Sequence, residues 1–193
     1  MAEQNYSVDL DLNEVKVMVD NLVPYIYEDE LYGKVNLPAA RLTPGAILLR
    51  VRRLKALRGQ MSAAQAAQLD TIEVLFDSTR KEWTVAFNNK LVHEAESRLR
   101  DVQTYLNECK DDPKSCASSY TPEALRRTIV AEILSALPST DANYGRLMTN
   151  AKLVDSGLRR YVREDSFIWA DILNTAYPKE TFWWLYGRPP KSG

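Results

Sequence analysis

A single histidine, His93, is all that 193 residues provide. That scarcity removes every metal constellation needing two imidazoles, the His-Glu-x-x-His zinc sites and Glu-x-x-His di-iron bundles among them. His93 lies beside Glu94 in a stretch of helical pattern, where a partly exposed helix residue is expected rather than a general base. Cysteine is nearly as scarce. Cys109 and Cys116 are too few for a disulfide framework and lack the paired spacing of a structural zinc site. Reduced thiols in a cytoplasm are therefore the expectation, with a bridge across the intervening loop as the alternative.

The usual nucleotide and acyl-transfer signatures are missing too: no Gly-x-x-x-x-Gly-Lys phosphate loop, no Gly-x-Gly-x-x-Gly turn and no Gly-x-Ser-x-Gly elbow. No cofactor is expected, and the chain reads as non-enzymatic. Glycine occurs only seven times, and alternating β-branched runs bounded by Asn-Gly or Asp-Gly turns are absent, so strands have almost no support. No stretch approaches the roughly 18 apolar residues of a membrane span. The first twenty residues mix Glu3, Asp9, Asp11 and Glu14 with scattered apolar ones, unlike a secretory leader, and a soluble cytoplasmic protein is expected.

What is present is helical punctuation. Asp11-Leu12-Asn13-Glu14 has the form of a capping box before Val15, Val19 and Leu22, and Pro24 then kinks or restarts the helix. Thr43-Pro44 opens a second helix that runs toward Gly59. Ser62-Ala63-Ala64-Gln65 begins a stretch free of Pro and Gly until Pro113. Along it Leu69, Ile72, Phe76, Thr79, Trp83 and Ala86 recur at alternating three and four spacing, a coiled-coil-like stripe. The rhythm resumes out of phase at Val92, Ala95, Leu99, Val102, Leu106 and Cys109, which predicts a kink or break at Asn88-Asn89. A polar loop is expected over 111–120, then a helix opened by Thr121-Pro122 and stopped by Pro138. Another starts near Thr140 or Asp141, and two short helices follow, one near 166–176 and one after Pro178.

The predicted architecture is thus an all-α bundle of six to seven helices, built around a long, kinked, coiled-coil-like helix near 63–110. It is read as a single domain over 1–193, with 1–8 and 188–193 as flexible tails.

Charge is uneven along the chain. Residues 1–33 hold eight acids against Lys16, whereas residues 34–58 hold seven basic side chains and no acid. In the simplest reading Ile47, Val51 and Leu54 face the core while the arginines pair with Glu28, Asp29 and Glu30. The alternative makes Arg50, Arg52, Arg53 and Lys55 an anion-binding face for nucleic acid or acidic lipid, although a net charge of −1 argues against a dedicated nucleic-acid binder. The acidic runs Glu28-Asp29-Glu30 and Asp111-Asp112 diverge in direction on a helix, and read as solvated or ion-paired surface rather than a cation site.

Three of the four tryptophans fall in the last twenty-five residues. Adjacent Trp183 and Trp184 cannot both face one core. A terminal helix clamped onto the bundle is the plain reading, and a membrane-interface anchor is the remote one. The functional reading is a partner-binding site at Trp183, Trp184, Tyr186 and Arg188, since Trp, Tyr and Arg dominate interface hot spots. Function is expected to be helical scaffolding, through a protein partner or homo-oligomer. A nucleic-acid regulator and a small-ligand binder or enzyme with a pocket between helices are the alternatives.

Overall fold

The computed structural model describes residues 6–38 and 40–190, with side chains throughout except at 113–115. Eight α-helices lie among the described residues: α1 Val8–Asp20, α2 Leu22–Ile26, α3 Pro44–Ala56, α4 Ala63–Glu82, α5 Thr84–Asp111, α6 Pro113–Ser118, α7 Tyr120–Ala136 and α8 Tyr144–Tyr161. The all-α expectation holds, and no helix among the described residues is long and apolar enough to cross a membrane. Extended structure among them is limited to a two-residue antiparallel pair, β1 Arg163–Glu164 against β2 Gly187–Arg188, and a bridge between Gly33 and Leu42. The chain packs as two compact units, residues 6–94 and Ala95 onward, with the boundary inside α5.

In the N-terminal unit α1 packs against α3 and α4. α1 starts earlier than its sequence suggests: Ser7 is the N-cap, its hydroxyl accepting from the Leu10 N–H, and Asp11 and Glu14 are buried inside the helix. Asp11 caps nothing because it faces the basic helix α3. The two other starts read from sequence are in place. Ser62 and Gln65 form a reciprocal capping box on α4, and Thr43 caps α3 with Pro44 in the first turn. α3 gains a tertiary cap as well. Thr43 Oγ1 donates to Glu94 Oε1 at 2.6 Å and the Gly45 N–H donates to Glu94 Oε2 at 2.7 Å, setting a fully buried carboxylate against the positive end of the helix.

The long helix breaks, but at Trp83 rather than at Asn88-Asn89, which lie within α5. Thr84 stands at the break. Its hydroxyl donates to the carbonyls of Arg80 and Lys81 at 3.0 and 2.9 Å, taking up acceptors of the helical ladder at the point where the helix turns. Phe76 and Phe87 stand about 16 Å apart along a straight helix axis. Their ring centroids lie 5.7 Å apart edge to face, so the axis bends toward the core side. The predicted stripe is the side that bends inward: Leu69, Ile72, Phe76 and Thr79 are buried, and so is every member of the second set from Val92 to Cys109.

In the C-terminal unit α6 occupies the stretch expected as a polar loop. It returns Cys116 to Cys109, and the two sulfurs form a disulfide, correcting the expectation of free thiols. Sequence spacing alone could not place them together, because the short helix closes the gap. The Tyr105 hydroxyl donates to the Cys116 carbonyl at 2.8 Å and fixes the same turn. After α8 the chain forms two single-turn 3₁₀ segments, at Asp171–Leu173 and Trp183–Leu185, in place of the short α-helices expected there. Gly187 is required where β2 meets β1, since a Cβ would lie 2.5 Å from the Arg163 carbonyl oxygen. The expected tails extend outside the described residues at 1–5 and 191–193. Within them, Val8 opens α1 and Arg188 pairs with Arg163.

Candidate interaction groove

The basic helix was the first candidate, and its cations are engaged. Arg50 forks onto Glu14 of α1, lies 3.6 Å from Asp11 and donates to the Ala46 carbonyl. Lys55 pairs with Glu73 of α4 at 3.2 Å, Arg58 holds Asp70, and Arg52 and Arg53 also have partners. Burial pushes the Asp11 carboxyl above its ordinary range, and Arg53 and Arg50 pull it back. The acids that meet Arg50, Lys55 and Arg58 therefore come from α1 and α4 rather than from Glu28, Asp29 and Glu30. In that acidic loop it is the backbone carbonyls of Glu28 and Glu30 that bind a cation. They accept from Lys90 Nζ at 2.6 and 2.7 Å, while the ammonium stands 4.3 Å from the Tyr25 ring centroid. Burial lowers the Lys90 pKa.

The aromatic terminus separates into an inner and an outer ring. Trp184 is 2% exposed. Its indole N–H donates to Thr128 at 2.9 Å, its carbonyl accepts from Tyr120, and the Arg127 guanidinium lies 4.1 Å from its ring while pairing in a fork with Asp155. Trp184 thus offers no surface to a partner. Trp183 is half-buried under Arg159 at 4.0 Å, Tyr186 is half-buried with its hydroxyl donating to the Tyr177 carbonyl, and Arg188 is exposed. Edge-to-face contacts run from Trp169 through Tyr177 and Phe182 to Trp184 at 5.0 to 5.6 Å, so the segment closes the C-terminal core.

Glu123 of α7 is a further buried carboxylate. Desolvation raises its pKa to about 7, Arg126 beside it pulls the value down, and Asp101 and Glu108 push it up. One oxygen is held by Arg126, while the other is buried without a hydrogen-bond partner among the described residues. Arg126 also reaches Asp101 of α5 at 3.3 Å.

Sequence reasoning missed an open groove between two helices. α5 and α8 lie side by side and run in the same direction: Glu96, midway along α5, meets Arg146 in the first turn of α8 at 2.5 Å, and Leu106 packs against Gly157 further on, where a Cβ would lie 2.5 Å from a Leu106 methyl. α7 covers one side of this pair through Asp101 and Asp155. At 100° per residue, the positions that line the opposite side lie about half a turn from those two. That side is a groove of about 340 Å³, floored by buried Leu99 and Val154, with Glu96, Arg100, Arg146 and Leu153 on its walls. A smaller cleft of about 150 Å³ continues it past Leu153 to Lys110, Gly157 and Arg160. Leu153 is 64% exposed at the junction of the two. In the sequence it is a leucine off the buried stripe of α8, next to Lys152.

An all-α architecture with an open interhelical groove is the class this fold defines. Comparison of the chain with known protein families, with curated proteins and with solved structures finds no match.

Proposed function

We propose that this chain is a helical interaction protein and that the groove between α5 and α8 receives a helix from a partner. The observation carrying the reading is Leu153, a large apolar side chain 64% exposed above a buried apolar floor, midway along a groove of helical length. From Glu96 to Lys110 the groove extends about 21 Å, matching a partner helix of about fourteen residues. A helix there completes a four-helix packing around α5 and α8, with α7 on the opposite side.

Photo-crosslinking from position 153, with a benzophenone amino acid replacing Leu153 in cells that naturally make the protein, tests this. Crosslinks mapping to one short helical segment of one polypeptide are expected; an absence of crosslinked protein, or crosslinks scattered over many unrelated chains, contradicts the reading. The compartment is tested alongside. The Cys109–Cys116 bridge favours an oxidising environment, whereas the scarcity of cysteine suggested the cytoplasm. Thiol trapping of freshly lysed cells decides between them: a bridged protein supports the oxidising environment and free thiols the cytoplasm.

A further inference from the structure

Taking the groove reading as its basis, we infer that the occupant is an acidic amphipathic helix, with carboxylates on both edges of an apolar stripe. Charge complementarity carries the inference. Of the four cations along the groove, Arg146 is neutralised by Glu96, while Arg100, Lys110 and Arg160 are exposed and carry no ion pair among the described residues. Glu96 is the one acid among the described residues of the groove walls. Three other cations of the same unit are engaged elsewhere: Arg126 holds Glu123 and Asp101, Arg127 holds Asp155, and Arg159 covers Trp183. Three cations without an ion pair among the described residues thus line a groove whose floor is apolar.

The placement of those cations specifies a pattern. Arg100 and Lys110 are ten residues apart on α5, about 15 Å along the axis, or close to three turns of a facing helix. Arg160 stands on the other wall at the Lys110 end. A partner helix with Leu-like residues at i, i+3, i+7 and i+10 places its apolar stripe on Leu99, Val154 and Leu153. Glu or Asp flanking that stripe near both ends then reaches Arg100 on one side and Lys110 and Arg160 on the other. A phosphate backbone satisfies the cations but leaves Leu153 and the floor without an apolar partner, so a peptide fits where a nucleic acid does not.

The test uses the full chain and two labelled, end-capped helical peptides that share the same leucine stripe, one flanked by Glu and one by Lys, with binding followed by fluorescence anisotropy. The Glu peptide is expected to bind at least about tenfold more tightly than the Lys peptide at about 50 mM salt, and to weaken about tenfold by about 500 mM. Leu153→Asp should abolish this binding, and the double variant Arg100→Glu, Arg160→Glu should invert the preference. Both variants should keep the parent's helical circular dichroism and melting temperature, because these residues are exposed. Equal affinity for the two peptides, or binding of neither, overturns the acidic assignment while the crosslinking result stands or falls by itself. Displacement of the Glu peptide by an oligonucleotide, or a Leu153-dependent dimer in sedimentation, also overturns it by naming a different occupant.

Discussion

Arg50 and Arg100 both sit within helices among other basic residues, yet the two units treat them in opposite ways. In the N-terminal unit Arg50 is drawn between α3 and α1, its side chain 14% exposed, and its fork is satisfied by Glu14 with Asp11 nearby. In the C-terminal unit Arg100 stands on a groove wall with no acid paired to it among the described residues. The strongest run of positive charge in the sequence, residues 50–58, thus has partners within its own unit, while the cations left along the groove are spread over two helices. Linear charge density says where cations occur. Only tertiary packing says which of them are already paired.

Breaking the C-terminal unit where its packing is concentrated sharpens this contrast. The largest effect is expected for Trp184→Ala, which removes a buried indole, its hydrogen bond to Thr128 and the stack on Arg127. A loss of about 3–5 kcal/mol in urea unfolding is expected. A loss under about 1 kcal/mol shows that the aromatic terminus is not part of the core.

Next comes the bridge. Replacing Cys109 and Cys116 together by Ala releases the loop that α6 closes and should cost about 2–3 kcal/mol. Reduction of the parent protein should lower its melting temperature as far as the double substitution does, and calorimetry with and without reductant reads both.

A smaller effect is a slope with pH. The folded-state pKa of Glu123, about 7, lies above its ordinary value of 4.5, so between these values the folded protein holds a proton that the unfolded chain has released. Stability should therefore rise as pH falls from about 7 toward 4.5. Asp11, also raised by burial, contributes in the same direction. Glu123→Gln is expected to flatten part of that rise, because the amide does not titrate. An unchanged slope places the titration elsewhere.

Much of the fold was legible because its signals are local. Ser62 with Gln65, and Thr43 with Pro44, announced helix starts through atoms three residues apart or fewer. Burial at Leu69, Ile72 and Phe76 followed from spacing alone. The break was misplaced by five residues because Asn88-Asn89 are weak helix formers by composition, yet they continue α5 without interruption in the folded chain. The partners of Arg50 were misassigned for a related reason. Glu28, Asp29 and Glu30 are nearer in sequence than Glu14, but α1 packs on α3, and proximity in space decided the pairing. The groove was the least legible feature, since it needs two helices far apart in sequence to run parallel, and Leu153 acquires meaning only beside Leu99.

The contrast between paired and unpaired cations is tested most directly by urea unfolding of Arg50→Ala and Arg100→Ala side by side. Arg50→Ala leaves Glu14 buried without its counter-charge, takes one of two from Asp11, and should cost about 3 kcal/mol. Arg100→Ala should stay within about 0.5 kcal/mol of the parent. Comparable losses for the two would contradict the account, because Arg100 would then be held by its own fold just as Arg50 is, and would have no charge to offer a partner.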